Sequence, residues 1–328
     1  SGSMRDTIVF LDSATVDYGD IDSAPIGTHG RLVKFDVTSP GQMAERLKGA
    51  SVAVTNKCVF DEKLFLACPD LRLVAVTATG YNNIDIEAAS RLGVAVANVP
   101  GYSTPSVAQF TMACVLALAT RLVEYSSAAR DGRWSASPIY TLSTWPTFEL
   151  NDKVLGVMGM GGIGKEVARL ATAFGMRVIA LGREGVEYDE RWERTGLYEL
   201  AERSDFVCVH LPLSSESKGI IGGEFISRMK RTAFLINMAR GPVVQQAALY
   251  DALANHRILA AALDVLEQEP PKADDPLLQL DNVIITPHTS SGSVQAVLQL
   301  RRDTAQNVVD ALCGKLPRSI VNRKALGW

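Results

Sequence analysis

Residues 159–164, Gly159-Met160-Gly161-Gly162-Ile163-Gly164, spell G-x-G-x-x-G. Glycines at this spacing let a backbone turn come close to a pyrophosphate. A helix that starts there turns free N–H groups and the positive end of its dipole towards the phosphates. Alone, the pattern is weak in a chain with 26 glycines. It is strengthened by its place after the apolar run Lys153-Val154-Leu155-Gly156-Val157-Met158 and before the helical pattern Lys165 to Phe174. Gly159, Gly161, Gly162, Ile163 and Gly164 are therefore candidate contacts to a dinucleotide. Three further segments each follow a short apolar run: Asn237-Met238-Ala239-Arg240-Gly241, Asp264 to Pro270 with Glu269, and Pro287-His288-Thr289-Ser290. They place a guanidinium, a carboxylate and an imidazole at strand ends, where open α/β sheets bind ligands. Each has an ordinary reading on its own: a surface charge, a loop acid, a structural hydrogen-bonder. Their order behind a dinucleotide fingerprint points to a site.

About twenty residues past the turn, such folds carry an acidic residue that holds the adenosine ribose of NAD. Here that position is Gly182, followed by Arg183 and Glu184. A missing acid and a neighbouring guanidinium favour a 2′-phosphate, hence NADP over NAD. A one-residue shift would instead let Glu184 take the ribose hydroxyl.

The elements that must position these groups come in two sets. Apolar runs lie at Thr7–Leu11, Arg31–Phe35, Val52–Thr55, Leu73–Thr77 and Val94–Ala97. A second set lies at Val154–Met158, Arg177–Leu181, Phe206–Val209, Ala233–Ile236, Ile258–Leu263 and Val283–Thr286. Runs that are continuously apolar suit parallel strands covered on both faces. Alternation with helical patterns predicts an α/β protein, the second set forming a Rossmann-type doubly wound parallel sheet of six strands. Between the sets, Thr104-Pro105 reads as an N-cap and first helical position. The following helix is apolar nearly all round through Val107, Phe110, Val115, Leu116, Leu118 and Leu122, so it is expected in the core or at an interface. From Asp131 to Phe148 the chain becomes irregular and aromatic, as an interface arm or a lid would be.

A length of 328 residues suggests about two domains. With 33 basic and 36 acidic side chains the net charge is −3, which offers no bulk attraction to nucleic acid or an anionic membrane. The longest apolar candidate, Phe110 to Ala119, falls well short of the roughly 18 residues of a membrane span. Ser1-Gly2-Ser3 before Met4 reads as a cloning remnant, and the strand after it has no signal-peptide shape, so a cytoplasmic location is expected. Of five scattered cysteines most read as small buried hydrophobes, and four histidines without i, i+4 pairing argue against a metal site.

The chain resembles the D-isomer-specific 2-hydroxyacid dehydrogenase family. The resemblance runs from Gly80-Tyr81-Asn82-Asn83-Ile84-Asp85 through Asn98-Val99-Pro100-Gly101 and Val107-Ala108 to Pro287-His288. Residues 101–109 and 145–150 are most similar to glycerate dehydrogenases and hydroxypyruvate (glyoxylate) reductases. Gln109, where many members carry Glu, and Gly182, where NAD-using members carry Asp, depart from the pattern. The resemblance implies a nucleotide domain over 100–288, including a dimerisation arm over 104–148. It implies a smaller flavodoxin-like substrate domain from 1–99 and 289–328, a cleft between the two, and a homodimer.

It also implies roles. Arg240 would pair with the carboxylate of a 2-keto acid and polarise its ketone. His288 would give a proton to the oxygen as hydride arrives, with Glu269 orienting the ring and favouring its cation. The N–H groups around Thr79 and Gly80 would hold the substrate carboxylate, and Asp264 would accept from the nicotinamide amide. The stretch His210-Leu211-Pro212-Leu213 with Ser217 would lie near the adenine, and Met238 and Ala239 would line the cofactor site with Arg240 and His288. The expected reaction is reduction of hydroxypyruvate or glyoxylate, with NADP(H) favoured over NAD(H). The alternatives are another acid of the family, phosphoglycerate or lactate, or a non-catalytic nucleotide-sensing co-repressor.

Overall fold

The computed structural model describes residues 6–17, 24–188 and 191–328. The chain divides into two compact units: Ser1–Ser103 with Ser293–Trp328, and Thr104–Gly292. The junctions fall four residues later than the 99/100 and 288/289 boundaries expected from sequence.

In the first unit, β1 (Thr7–Phe10), β2 (Arg31–Lys34), β3 (Val52–Thr55), β4 (Leu73–Val76) and β5 (Ala95–Ala97) form a parallel sheet in the order β2-β1-β3-β4-β5. This is the flavodoxin-like order. The central strands, Val-Ala-Val-Thr and Leu-Val-Ala-Val, are buried at every position because helices cover both faces. One cover is the helix Val294–Leu312, started by Ser293, whose Oγ accepts from the Ala296 N–H at 3.1 Å. Its Leu300 and Val308 pack among Ile8, Phe10, Val52 and Val54, which ties the C-terminal segment to the first hundred residues.

The second unit holds β6 (Val154–Met158), β7 (Arg177–Leu181), β8 (Glu193–Thr195), β9 (Phe206–Val209), β10 (Phe234–Asn237), β11 (Ala260–Leu263) and β12 (Val283–Ile285). Their order is β12-β11-β10-β9-β6-β7-β8, all parallel. That is the doubly wound Rossmann order with one further strand, and its switch point lies between β6 and β9. Seven strands replace the six expected. The one not expected, β8, reads Glu-Arg-Thr and sits at the sheet edge, where no continuous apolar run is required. The strand expected at Ala233–Ile236 also shifts by one residue, so Asn237 closes β10 instead of following it.

Helix Thr104–Thr120 buries Val107, Met112, Val115 and Leu118 against the sheet. Small Ala260 and Ala262 on that face of β11 leave room for it. Thr104 lies inside the helix instead of capping it. The single long helix expected is broken at Arg121, which adopts φ 56°, and Leu122–Arg130 continues at 62° to the first part. Among the described residues no single helix is long and apolar enough to cross a membrane. Beyond it the irregular arm is fastened locally: the Tyr125 hydroxyl donates to the Trp145 carbonyl at 2.7 Å and accepts from its N–H at 3.0 Å.

Candidate active site

The Gly-rich turn joins β6 to the helix Gly162–Ala173, and each of its three motif glycines meets a different demand. Gly159 has φ 101°, and a Cβ there would lie 2.5 Å from the His210 carbonyl oxygen. A Cβ on Gly164 would lie 1.9 Å from the carbonyl oxygen of Gly159, so only glycine lets the helix close onto the turn. Gly161, the N-cap, has no atom within 4 Å of where its Cβ would be, and no side chain caps this helix. Gly159 and Gly164 therefore hold the turn, while Gly161 opens it to solvent where phosphate oxygens would meet the first-turn N–H groups. The residues fit a dinucleotide. Ile163 packs inward on the core.

The reactive groups converge through three neighbouring strands, β10, β11 and β12. After β10, Asn237 Oδ1 accepts from the Ala239 N–H at 3.0 Å, and its Nδ2 donates to the Arg240 carbonyl at 3.0 Å. These bonds fold Met238-Ala239-Arg240 into a tight turn, with Met238 buried. Arg240 Nη1 donates to the Ala239 carbonyl at 2.7 Å. Gly241 allows this turn to touch the next segment, since a Cβ there would lie 1.9 Å from the Leu266 carbonyl oxygen.

After β11, Asp264 is 2% exposed, and its carboxylate accepts from three donors of the chain itself. Its Oδ1 accepts from Thr286 Oγ1 and the Thr289 N–H, each at 2.8 Å, and its Oδ2 from the Ser290 N–H at 3.0 Å. The backbone N–H of His288 donates to the Asp264 carbonyl at 2.9 Å. Asp264 thus clamps the turn after β12 that carries His288, a role its position in the sequence did not reveal. His288 itself adopts φ 50°, uncommon for a non-glycine residue and held here by those bonds.

The result is a direct contact: His288 Nδ1 lies 2.5 Å from Glu269 Oε2, both side chains about one-third exposed. Glu269 is fixed in turn by its Oε1, which accepts from the Leu266 N–H at 3.0 Å. With Nδ1 turned to the carboxylate, Nε2 is the nitrogen left for chemistry. Burial, with a contribution from the Asp264 charge, pushes the Cys114 thiol up to about 12. Among the described residues no cluster of His, Cys, Asp and Glu could hold a metal ion.

The other end of the sheet is looser. Gly182 and Arg183 follow β7, and Arg183 pairs with Glu216 at 3.5 Å with both side chains about four-fifths exposed. Glu184 and Glu187 are exposed nearby, and Asp189 lies outside the described residues. After β9, the His210 N–H donates to the Met158 carbonyl at 2.7 Å, which seats this loop beside the Gly-rich turn. The His210 Nε2 is buried without a hydrogen-bond partner, and burial pulls the ring down to about 4. Leu211 packs on the core. Ser217 Oγ hydrogen-bonds the Pro212 carbonyl and accepts from the Ser214 N–H at 2.8 Å, so it braces the loop. In the first unit, Thr79 and Gly80 follow β4; Thr79 Oγ1 donates to the Val99 carbonyl at 2.8 Å, and Asn98 Nδ2 to the Thr79 carbonyl at 2.8 Å.

Comparison with known proteins agrees with this geometry. The model of the D-isomer specific 2-hydroxyacid dehydrogenase NAD binding domain matches residues 112–290. The chain belongs to that family. It is 41% identical to the glyoxylate reductase of Korarchaeum cryptofilum over 81% of this chain and 80% of the relative. It is 35% identical to the hydroxypyruvate reductase of Blautia hydrogenotrophica over 96% and 99% of the two chains. Among solved structures, an NADPH-dependent glyoxylate/hydroxypyruvate reductase from Sinorhizobium meliloti, in complex with NADP and malonate, superposes with a TM-score of 0.81 at 25% identity, covering 97% of each chain.

Proposed function

We propose that this family member uses NAD(P)H to reduce a small 2-keto acid, hydroxypyruvate or glyoxylate, to the D-2-hydroxy acid. The observation that carries the reading is the His288–Glu269 contact, built on a strained turn at the same sheet edge as Arg240. The nicotinamide, when bound, supplies the hydride. Arg240 pairs its planar fork with the substrate carboxylate and draws electron density from the adjacent ketone. His288 donates a proton from Nε2 to the ketone oxygen as it becomes an alkoxide. Glu269 accepts the Nδ1 hydrogen, fixes the ring plane and balances the imidazolium charge. Asp264 keeps the turn that presents the ring in place. The unit of residues 104–292 is the nucleotide-binding part, as the family resemblance implies.

The Gly-rich turn on β6 and the His288 turn on β12 are four strand spacings apart, about 19 Å. An extended dinucleotide is the ligand that spans such a row of strand ends. Gly182 and Arg183 favour NADP(H) over NAD(H). The glyoxylate and hydroxypyruvate reductases among the relatives support the choice of substrate. A homodimer is proposed from the exposed Leu122, Val123, Trp134, Ile139 and Tyr140, which cluster on the second part of the broken helix and on its arm. Steady-state oxidation of NADPH and NADH with hydroxypyruvate, glyoxylate, pyruvate and phosphohydroxypyruvate tests the reading. Hydroxypyruvate and glyoxylate should give the highest kcat/KM, and no turnover with any 2-keto acid would overturn it.

A further inference from the structure

The sequence marks Gly182 by what is missing, a carboxylate. The structure shows what stands beside the gap. Arg194, on the edge strand β8, directs Nη1 to the Leu181 carbonyl at 2.8 Å. Its guanidinium lies 3.9 Å from the centre of the Tyr188 ring. The Tyr188 hydroxyl accepts from the Arg183 N–H at 3.1 Å, so the aromatic plane is itself pinned to the end of β7. A Cβ on Gly182 would lie 3.0 Å from Arg194 Cβ and 3.6 Å from Tyr188 Cε2. Register places Leu181 opposite Thr195, and the Gly182 N–H donates to the Thr195 carbonyl at 2.8 Å. Gly182, Tyr188 and Arg194 therefore form one closed set, in which glycine leaves the space that the arginine stem occupies.

We infer that Arg194, more than Arg183, selects a 2′-phosphorylated cofactor, and that Gly182 serves to admit Arg194 and not only to omit an acid. The inference rests on the nucleotide-dependent reading above and names the specificity residue of that same site. The two cations differ in physical standing. Arg183 projects into solvent, about four-fifths exposed; such a charge is screened and worth little. Arg194 is only partly exposed, and its plane is held by a ring and a carbonyl, so less freedom is lost when a phosphate binds. A consequence follows for the substitution that would ordinarily convert such a site. In Gly182→Asp the new carboxylate lies beside the Arg194 guanidinium and pairs with it, so it is not available to a ribose hydroxyl.

Calorimetric titration of NADP+, NAD+ and 2′,5′-ADP into the full-length protein tests this without reference to turnover. Arg194→Gln should weaken NADP+ by at least about tenfold more than NAD+ and cut 2′,5′-ADP binding in parallel, as loss of a charge-assisted contact predicts. Arg194→Lys, which keeps the charge but not the stacked plane, should fall between, and its NAD+ binding reports that the site is folded. Arg183→Gln should move the ratio less than either. Gly182→Asp should lose NADP+ without gaining NAD+, while Gly182→Asp with Arg194→Ser should gain NAD+. A ratio shift below tenfold in Arg194→Gln, an equal or larger shift in Arg183→Gln, or a wild type that prefers NAD+ would overturn the inference and leave the dehydrogenase reading standing. A wild type that binds neither dinucleotide would overturn both.

Discussion

The two ends of the nucleotide-binding sheet are built on opposite principles. At β10–β12 the polar groups are locked to one another and to the backbone: Asn237, Asp264 and Glu269 each make two or three hydrogen bonds inside the site, and Asp264 is 2% exposed. At β7 the first cation met in the chain, Arg183, is held by one exposed acid, and only the guanidinium from the neighbouring strand has a fixed place. The difference fits the role proposed for each end. Proton donation to a developing alkoxide tolerates little misplacement, so the ring is over-determined even at the cost of a left-handed backbone at His288. Choice between two cofactors requires only a difference in affinity, which one oriented charge supplies.

That contrast can be broken or sharpened by experiment. The largest effect is expected at His288: replacement by Ala removes the proton donor and should lower kcat by roughly 10²–10⁴-fold, with a small change in KM. Single-turnover kinetics near the wild-type rate would show that the locked end is structural only. Next, Arg240→Lys keeps the charge but not the fork, and should reduce kcat/KM by about ten- to hundredfold, with KM raised and kcat lowered together. A variant in which KM alone changes would restrict Arg240 to ground-state binding.

Asp264→Asn puts an amide where three donors now converge on a carboxylate. Leaving one of them facing another donor should destabilise the second unit by about 1–3 kcal/mol in denaturant titrations. It should also slow turnover, because the His288 turn loses its clamp. Unchanged stability would mean that Asp264 is not the anchor described.

His210 gives a smaller, pH-dependent effect. Burial lowers its ring from the ordinary 6.5 to about 4, so between those values the unfolded chain holds a proton that the folded chain does not. The stability this contributes is complete above about 6.5 and is lost as pH falls towards 4. Tm measured across that window should therefore fall less steeply in His210→Asn than in the wild type; parallel slopes would place the acid sensitivity elsewhere. The smallest change is expected at the loose end, where Glu216→Gln removes the partner of Arg183 and should alter stability by less than about 0.5 kcal/mol. A larger loss in thermal scans would show that this end is less loose than its exposure indicates.

Much of this organisation is legible in the residues. The Gly-rich spacing, eleven of the twelve strands and the order of Arg240, Glu269 and His288 can be read directly, because buried parallel strands need apolar runs and each reactive group lies within a few residues of one. What escapes is the strand without that requirement. At an edge, β8 needs only backbone bonds to β7, so Glu-Arg-Thr leaves no apolar trace, and Arg194 remained unmarked with it. The break at Arg121 is hidden for a related reason: the residues on either side favour helix, and only the left-handed φ of 56° at one position reveals the turn.

The sequence alone determined which chemistry is available: glycines at the spacing of a dinucleotide turn, a carboxylate absent at Gly182, and three functional groups beside apolar runs. Tertiary structure decided which groups act together. Glu269 and His288 are 19 residues apart in the chain and meet at 2.5 Å because parallel β11 and β12 bring their following turns side by side, with Asp264 pinning one turn to the other. Arg194 reaches Gly182 because β8 pairs with β7 in one register, which sets its stem where the missing side chain would have been. Local propensity acts over a few residues; contacts across strands depend on pairing and register, and these are settled only when the whole sheet forms.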